Sequence, residues 1–319
     1  MSLPLEPPLT PQLALSRKEL PEGGDYAYEV KLDGFRCLAF VDGEEVFLQS
    51  RNGRPLGRYF PELLFPPGRY VLDGEIVVRD ASGREDFDAI GQRVHPAESR
   101  VRRLSVETPA VYVAFDLLAS GEKRLLERPF DERRAALEKL LAGAQFADAP
   151  VELMETAATA QDAQRWLAHA EGAIAKERGA PYRPGERKGM VKVKRVRTID
   201  AVVVGWRPGK EPGTVGALIL GLYDGPELRV VGHCSGLSAA EKRRLVGFLE
   251  PYQTGERGSA DPSRWSAGKE LEWIALRPEL VVEIDFDHVS AGRIRHGAKL
   301  RRWRDDKPPA ECTYEQLSA

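Results

Sequence analysis

Apolar and polar residues alternate in short runs along most of this chain, and Gly, Pro, Asn or Asp closes nearly every run. A strand sends successive side chains to opposite faces, so this rhythm predicts strands with tight turns rather than long helices. The stretch YAYEVKLDGFRCLAFVDGEEVFLQS alternates on both sides of Gly34 and of Asp42-Gly43, as a strand meander would. RYVLDGEIVVRD and VYVAFDLL add two further strands. Helical spacing then takes over in DERRAALEKLLAGA, where acids open the segment and leucines recur at helical intervals. QDAQRWLAHA is a second, shorter helix, and strands resume at GAIAKE and GMVKVKRV.

After Arg197 the character changes. TIDAVVVGWRPG, GALILGLYDG and ELRVVGHCS are short β-rich runs punctuated by Gly, Pro and Asp, as in a small barrel. One helix interrupts them at SAAEKRRLVGFLE, where Ser238 and Glu241 have capping-box spacing. A last strand, ELVVEIDFDHV, leads into a basic tail. The expected architecture is α+β, with residues 1–197 forming mixed antiparallel sheets with helices and residues 198–319 forming a β-barrel domain. A chain of 319 residues is long enough for two such domains.

Several classes of function are excluded or disfavoured. No run approaches the roughly 20 apolar residues that span a bilayer, and MSLPLEPPLTPQLALS lacks the basic start and apolar core of a secretory signal, which points to the cytoplasm. Cys37, Cys234 and Cys312 are dispersed and odd in number, so neither a disulfide framework nor a zinc cluster is expected, and the histidines show no paired metal spacing. The net charge of −2 hides two basic stretches. One comprises Arg187, Lys188, Lys192, Lys194, Arg195 and Arg197, the other Arg293, Arg295, Lys299, Arg301, Arg302 and Arg304. Dense cations on a near-neutral chain fit a local polyanion site, although two solvated, salt-bridged faces would look the same.

Lys31-Leu32-Asp33-Gly34-Phe35-Arg36 places a lysine at the end of a predicted strand, beside an acid, a turn glycine and an arginine. A lysine amine attacks phosphorus only after losing its proton, and nearby cations or a metal ion favour that loss. Alone, K-x-D-G is weak evidence and also fits a surface hairpin. Further short motifs follow in order: Ser50-Arg51-Asn52-Gly53, Leu72-Asp73-Gly74-Glu75, Phe115-Asp116, Glu171 to Lys176, and Lys192-Val193-Lys194. In this series the chain resembles the covalent nucleotidyltransferases, which comprise DNA ligases, RNA ligases and mRNA capping enzymes.

The resemblance implies a role for each motif. Lys31 would accept the nucleotide, Glu29 would read the adenine amino group, and Phe115 would stack on the purine, unless it is simply a core aromatic. Arg36 and Arg51 would hold the AMP phosphate or the 5′-phosphate of a nick, with Asp33 near the 3′ side. Lys192 and Lys194 would face the α-phosphate. Glu171 and Glu75 would hold Mg²⁺ or Mn²⁺, since a hard cation prefers carboxylate oxygen.

The second half narrows the likeness. VVVGWRPGKEPGTVGALILGLYDG resembles the OB-fold of DNA ligases, and RIRHGAKLRRWRDDKPPAECT resembles their last motif. The nearest likeness is to the ligase domain of bacterial end-joining ligase D and to stand-alone ligase C enzymes. It implies an adenylation domain followed by an OB-fold, with ATP as cosubstrate. Arg302 and Lys307 would orient the β- and γ-phosphates, and Arg295 and Arg304 would meet DNA. The spacing after Arg295 leaves Arg301, Arg302 and Arg304 all open as the last-motif arginine.

The implied substrate is nicked duplex DNA, held mainly through its phosphates and therefore bound in a salt-sensitive way. A Ku-like end-binding protein or a separate repair polymerase are the partners the resemblance suggests. The alternatives are an RNA ligase or a GTP-using capping enzyme and, from another class, an inert nucleic-acid-binding scaffold.

Overall fold

The computed structural model describes residues 2–259, 272–290 and 292–317. It divides into two compact units, Met1–Arg195 and Val196–Ala319.

The first unit is built on two sheets. In one, the strands run Leu15–Arg17, Met190–Lys194, Gly172–Glu177, Tyr26–Val30 and Thr156–Ala157. Their alternation sorts the residues cleanly. Tyr28, Ala173, Ala175, Val191 and Val193 form an apolar face that packs on Ala163 and Trp166 of the helix Ala160–His169. The opposite face therefore carries the intervening residues, which include Glu29, Ile174, Lys176, Lys192 and Lys194.

The second sheet runs Glu45–Ser50, Phe35–Gly43, Gly68–Val78, Ala110–Ser120 and Lys123–Arg124, with Val151–Leu153 parallel to Ala110–Ser120. It is buried on both sides. Cys37, Ala39, Leu72, Ile76 and Tyr112 belong to the larger core, while Leu38, Phe40, Val71 and Leu118 are covered by Leu3 and Leu5 near the N-terminus. Two-sided burial explains why VYVAFDLLA is a nearly continuous apolar run and why RYVLDGEIVV is apolar on both sides of Asp73-Gly74-Glu75. The helix Phe130–Leu141 fits the expected DERRAALEKLLAGA. Two further helices, Phe87–Arg93 and Glu98–Glu107, have no counterpart among the expected elements. Each presents little apolar surface: Ile90 with Arg93 in the first, Val101 and Leu104 in the second.

In the second unit, Arg197–Pro208 pairs with Val215–Asp224 on one edge and with Val281–Phe286 on the other. Val215–Asp224 pairs with Glu227–Gly236, that strand pairs in parallel with Ala298–Trp303, and Ala298–Trp303 returns to Val281–Phe286. The circuit closes a barrel, which removes its free edges. Short strands Gln253–Gly258 and Trp273–Leu276 extend the sheet beside Arg197–Pro208. The helix Ala239–Leu249 starts as expected: Ser238 Oγ accepts from the Glu241 amide at 3.2 Å, and the Ser238 amide donates back to Glu241 Oε2 at 2.7 Å. The α+β reading with a terminal barrel agrees with this architecture.

Candidate active site

Lys31 lies where the first sheet ends and the chain crosses to the second. Its amide donates to the Gly172 carbonyl at 3.0 Å, extending the ladder one residue beyond Tyr26–Val30. Gly172 pairs with Lys194, and Ile174 pairs with both Glu29 and Lys192. Directly opposed residues share a face, as do residues two apart on one strand. Glu29, Lys31, Ile174, Lys192 and Lys194 therefore stand on one face of one sheet, opposite the face that packs on the helix.

Strict alternation would send Glu171 to the other side. Gly172 prevents this with a φ of 155°, which ends the alternation and lets the Glu171 carboxylate return to the lysines. Glu171 ion-pairs with Lys31 through Oε2 and lies 3.6 Å from Lys194 Nζ through Oε1. A Cβ on Gly172 would stand 2.1 Å from the Val193 carbonyl oxygen. Gly172→Ala is accordingly expected to displace Glu171 and Lys31 together and, if Lys31 accepts the nucleotide as its motif implies, to slow covalent labelling by about 100-fold or more, the scale of an ångström misplacement at a reacting centre. Single-turnover labelling with α-labelled ATP checks this.

Gly34 sets the crossing. A Cβ there would meet the Ile76 carbonyl oxygen at 2.2 Å, so the loop after Lys31 runs hard against the second sheet. Arg36 then enters the second sheet opposite Glu75. It forms a two-pronged ion pair with Asp73, Nε to Oδ1 at 2.9 Å and Nη2 to Oδ2 at 2.6 Å. Asp73 is fully buried and also accepts the Tyr182 hydroxyl at 2.6 Å. Tyr182 in turn accepts the Gln12 amide at 2.9 Å, so the Arg36 head is held by a chain of buried contacts.

Phe115 sits at a β-bulge: Asp73 pairs with Asp116 and Gly74 with Ala114, leaving Phe115 unmatched between them. Bulges re-aim a side chain. The ring is buried with Leu32, Val77, Val113 and Met154, and two cations approach it, Arg36 at 5.1 Å and Lys176 at 4.5 Å from its centroid.

The electrostatics follow from this crowding. Burial and the neighbouring cations Lys194, Lys31, Arg51 and Arg187 lower the pKa of Lys192. Arg51, exposed in the turn after Glu45–Ser50, is thus close enough to contribute to the cationic field. Burial pushes the Glu75 carboxyl up to about 8, against the pull of Lys31 and Arg36. A folded-state value above the unfolded one means that the folded protein holds the extra proton. Stability contributed by neutral Glu75 is then present below the ordinary value of 4.5 and is lost as pH rises to about 8. Glu75→Gln should flatten the fall in Tm between those pH values, measured by calorimetry without nucleotide or divalent metal.

Two family models match this chain: the ATP dependent DNA ligase domain over residues 11–194 and the ATP dependent DNA ligase C terminal region over residues 211–307. The chain belongs to the ATP-dependent DNA ligases. It is 44% identical to DNA ligase C of Mycobacterium tuberculosis and 42% identical to DNA ligase C1 of Mycolicibacterium smegmatis. Each match covers 99% of this chain and 96% of the relative. Among solved structures, a mycobacterial DNA ligase D complexed with ATP is 30% identical, with a TM-score of 0.53, covering 96% of this chain and 98% of that one.

The remaining expected residues of this ligase, Asp33 apart, lie in its second unit. Arg302 is 59% exposed and is paired with Glu283 at 2.6 Å. Arg304 is only 18% exposed and is committed on two sides, to Asp200 at 2.9 Å and to Asp306 at 2.8 Å. Lys307 reaches the same Asp200 at 3.2 Å. Of the last-motif arginines, Arg301 and Arg302 keep exposed heads around Glu283, while Arg304 braces the turn to Lys307. Arg295 is half-buried, its amide donating to the His288 carbonyl at 2.9 Å. Asp33 lies in the Lys31–Gly34 loop.

Other residues of the site carry no role among the expectations from sequence: Lys176, which ends the motif that begins at Glu171, and Arg133 and Arg134, which lie outside the motifs. Lys176 is buried between Glu29, at 2.7 Å, and the rings of Phe115 and Phe130. Arg133 forms a buried two-pronged pair with Asp116 at 2.7 and 2.9 Å, and Arg134 lies beside it. A weaker signal exists for the two arginines: both fall on the helical stripe that runs from Phe130 to Leu137.

Among the described residues no helix is long and apolar enough to cross a membrane, and no group of three or more His, Cys, Asp or Glu forms a metal cage.

Proposed function

We propose that the chain seals 3′-hydroxyl/5′-phosphate nicks in duplex DNA, with Lys31 carrying AMP between ATP and the DNA. The contact of Lys31 Nζ with Glu171, on the face that also presents Lys192 and Lys194, carries this reading. Lys31 Nζ bonds to the α-phosphorus as the bond to pyrophosphate breaks, and Glu171 is the carboxylate in place to take the amine proton. Lys192 and Lys194 offset the charge on the α-phosphate oxygens, where phosphoryl transfer most needs it. AMP then passes to the 5′-phosphate of the nick, and the 3′-hydroxyl displaces it.

Arg36, fixed by Asp73 and Tyr182, and Arg51, at the exposed turn, supply guanidinium groups for phosphate. Glu29 and Phe115 serve the adenine, and Asp33 the 3′ side of the nick. Glu171 and Glu75 fit Mg²⁺ or Mn²⁺, because such ions are commonly held by one or two carboxylates with substrate phosphates and water completing the shell. When bound, the metal would neutralise phosphate charge beside Lys31. In the second unit, Arg302 and Lys307 serve the β- and γ-phosphates, and Arg295 with Arg304 the DNA side.

The chain is proposed to act in bacterial DNA repair in the cytoplasm, and an end-joining role is supported by likeness to the multifunctional non-homologous end joining protein of Pseudomonas aeruginosa. That protein is 33% identical over 97% of this chain, which spans 37% of the relative. A Ku-like end-binding protein or a separate repair polymerase would fit such a role.

Purified chain, ATP, Mg²⁺ and a singly nicked duplex test the function. Sealing with ATP, weakening steeply with added salt, is expected. Covalent labelling by GTP in place of ATP would move the reading to capping, and sealing confined to RNA nicks would move it to RNA ligation.

A further inference from the structure

Among the described residues of the first unit, two of the four buried side-chain atoms without hydrogen-bond partners face each other. Glu29 is 2% exposed; its Oε2 takes the Lys176 ammonium at 2.7 Å, and its Oε1 has no hydrogen-bond partner. Arg134, in the helix Phe130–Leu141, is 9% exposed. It donates through Nε to Glu138 at 2.7 Å and through Nη2 to the Met154 carbonyl at 2.8 Å, leaving Nη1 without a hydrogen bond. Glu29 Oε1 and Arg134 Nη1 stand 4.0 Å apart, beyond hydrogen-bond reach of each other. The two form an ion pair at that distance, but neither atom has a hydrogen bond, and a buried charged group without one keeps part of its desolvation cost. A third group belongs between them.

Its place indicates its chemistry. Glu29 is two residues before Lys31 on the same face, and Lys176 links it to the Phe115 ring. Met154, which holds Arg134, packs in the same apolar cluster as Phe115 and Leu32. This acceptor and donor thus lie beside the buried ring, while the phosphate-facing lysines stand along the same sheet face.

We propose that Arg134 Nη1 completes the reading of the Watson–Crick edge of adenine by donating to N1, beside the 6-amino group already assigned to Glu29. The proposal rests on the lysyl-AMP reading above. These two edge atoms are neighbours on the base, so partners 4.0 Å apart can each make a bond of ordinary length. Guanine in the same seat would set its O6 against the carboxylate and its N1–H against the guanidinium, a mismatch at both contacts. A site built this way rejects the wrong base strongly, since its charged groups are left unpaired. Arg134 is then a specificity-determining residue that no motif around Lys31 contains.

The test compares ATP with 1-deaza-ATP, which has C–H in place of N1, in single-turnover formation of the protein–AMP adduct; 7-deaza-ATP, altered away from that edge, is the control. For the unmodified chain, 1-deaza-ATP should react about 10- to 100-fold less efficiently, the loss of one hydrogen bond to a charged group, and 7-deaza-ATP should behave like ATP. In Arg134→Met, ATP should fall toward the 1-deaza level and the ratio of the two should approach one. Equal use of both nucleotides by the unmodified chain would overturn the proposal without needing a folded variant. So would a variant that slows both nucleotides yet keeps their ratio, because that marks a structural role. Absence of any adduct with ATP would instead remove the lysyl-AMP reading, and this proposal with it.

Discussion

Lys31→Ala should form no protein–AMP adduct and should seal ordinary nicks at least about 10⁴-fold more slowly, the scale on which a covalent nucleophile is lost. Lys31 Nζ is the atom proposed to bond to phosphorus, and its position is set by the Gly172 ladder contact and by Glu171. Lys192 and Lys194 share the face but stand two strands away, beyond Gly172–Glu177, and are proposed to meet the phosphate oxygens. The same variant should still join a nick whose 5′-phosphate already carries AMP, since that step forms no bond to lysine. Gel-based ligation of the two substrates separates these outcomes. Label retained by the alanine variant would place the nucleophile elsewhere.

Arg36→Ala should be nearly as damaging, for two separable reasons. It removes a guanidinium proposed to grip phosphate, and it leaves Asp73 fully buried without its cation. Breaking a buried pair from one side typically costs about 3–5 kcal/mol, most of it from the stranded charge. The Tyr182 hydroxyl would remain on Asp73 but cannot neutralise it. Replacing both partners, Arg36→Met with Asp73→Leu, should recover most of the stability because no charge is stranded, while sealing stays low. Denaturant unfolding and ligation, measured on both variants, check the two halves of this expectation. Recovery of sealing along with stability would mean that Arg36 acts only through Asp73.

Local patterning makes much of this protein legible in its sequence. The rhythm of GAIAKE and GMVKVK assigns alternating residues to a packed face and a charged face, and the lysines fall where the alternation puts them. Ser238 and Glu241 mark a helix start that the barrel unit uses. Contacts between distant segments are not legible in the same way. Tyr182 reaches Asp73 across 109 positions, and Lys176 reaches Phe115 across 61. Neither separation leaves a local trace. The bulge at Phe115 depends on the register of two strands, which no single strand encodes. The helices Phe87–Arg93 and Glu98–Glu107 are hard to read because each buries so few apolar side chains that its period is faint. Arg133 and Arg134 are legible in position, on the stripe of their helix, but not in partner.

The most direct test of the central claim is mass spectrometry of the intact protein after incubation with ATP and Mg²⁺, followed by peptide mapping. The account predicts a gain of one adenylyl group, discharged by adding nicked DNA and located on the peptide that carries Lys31. A gain located on any other residue, or nick sealing by protein that never acquires it, would contradict the account.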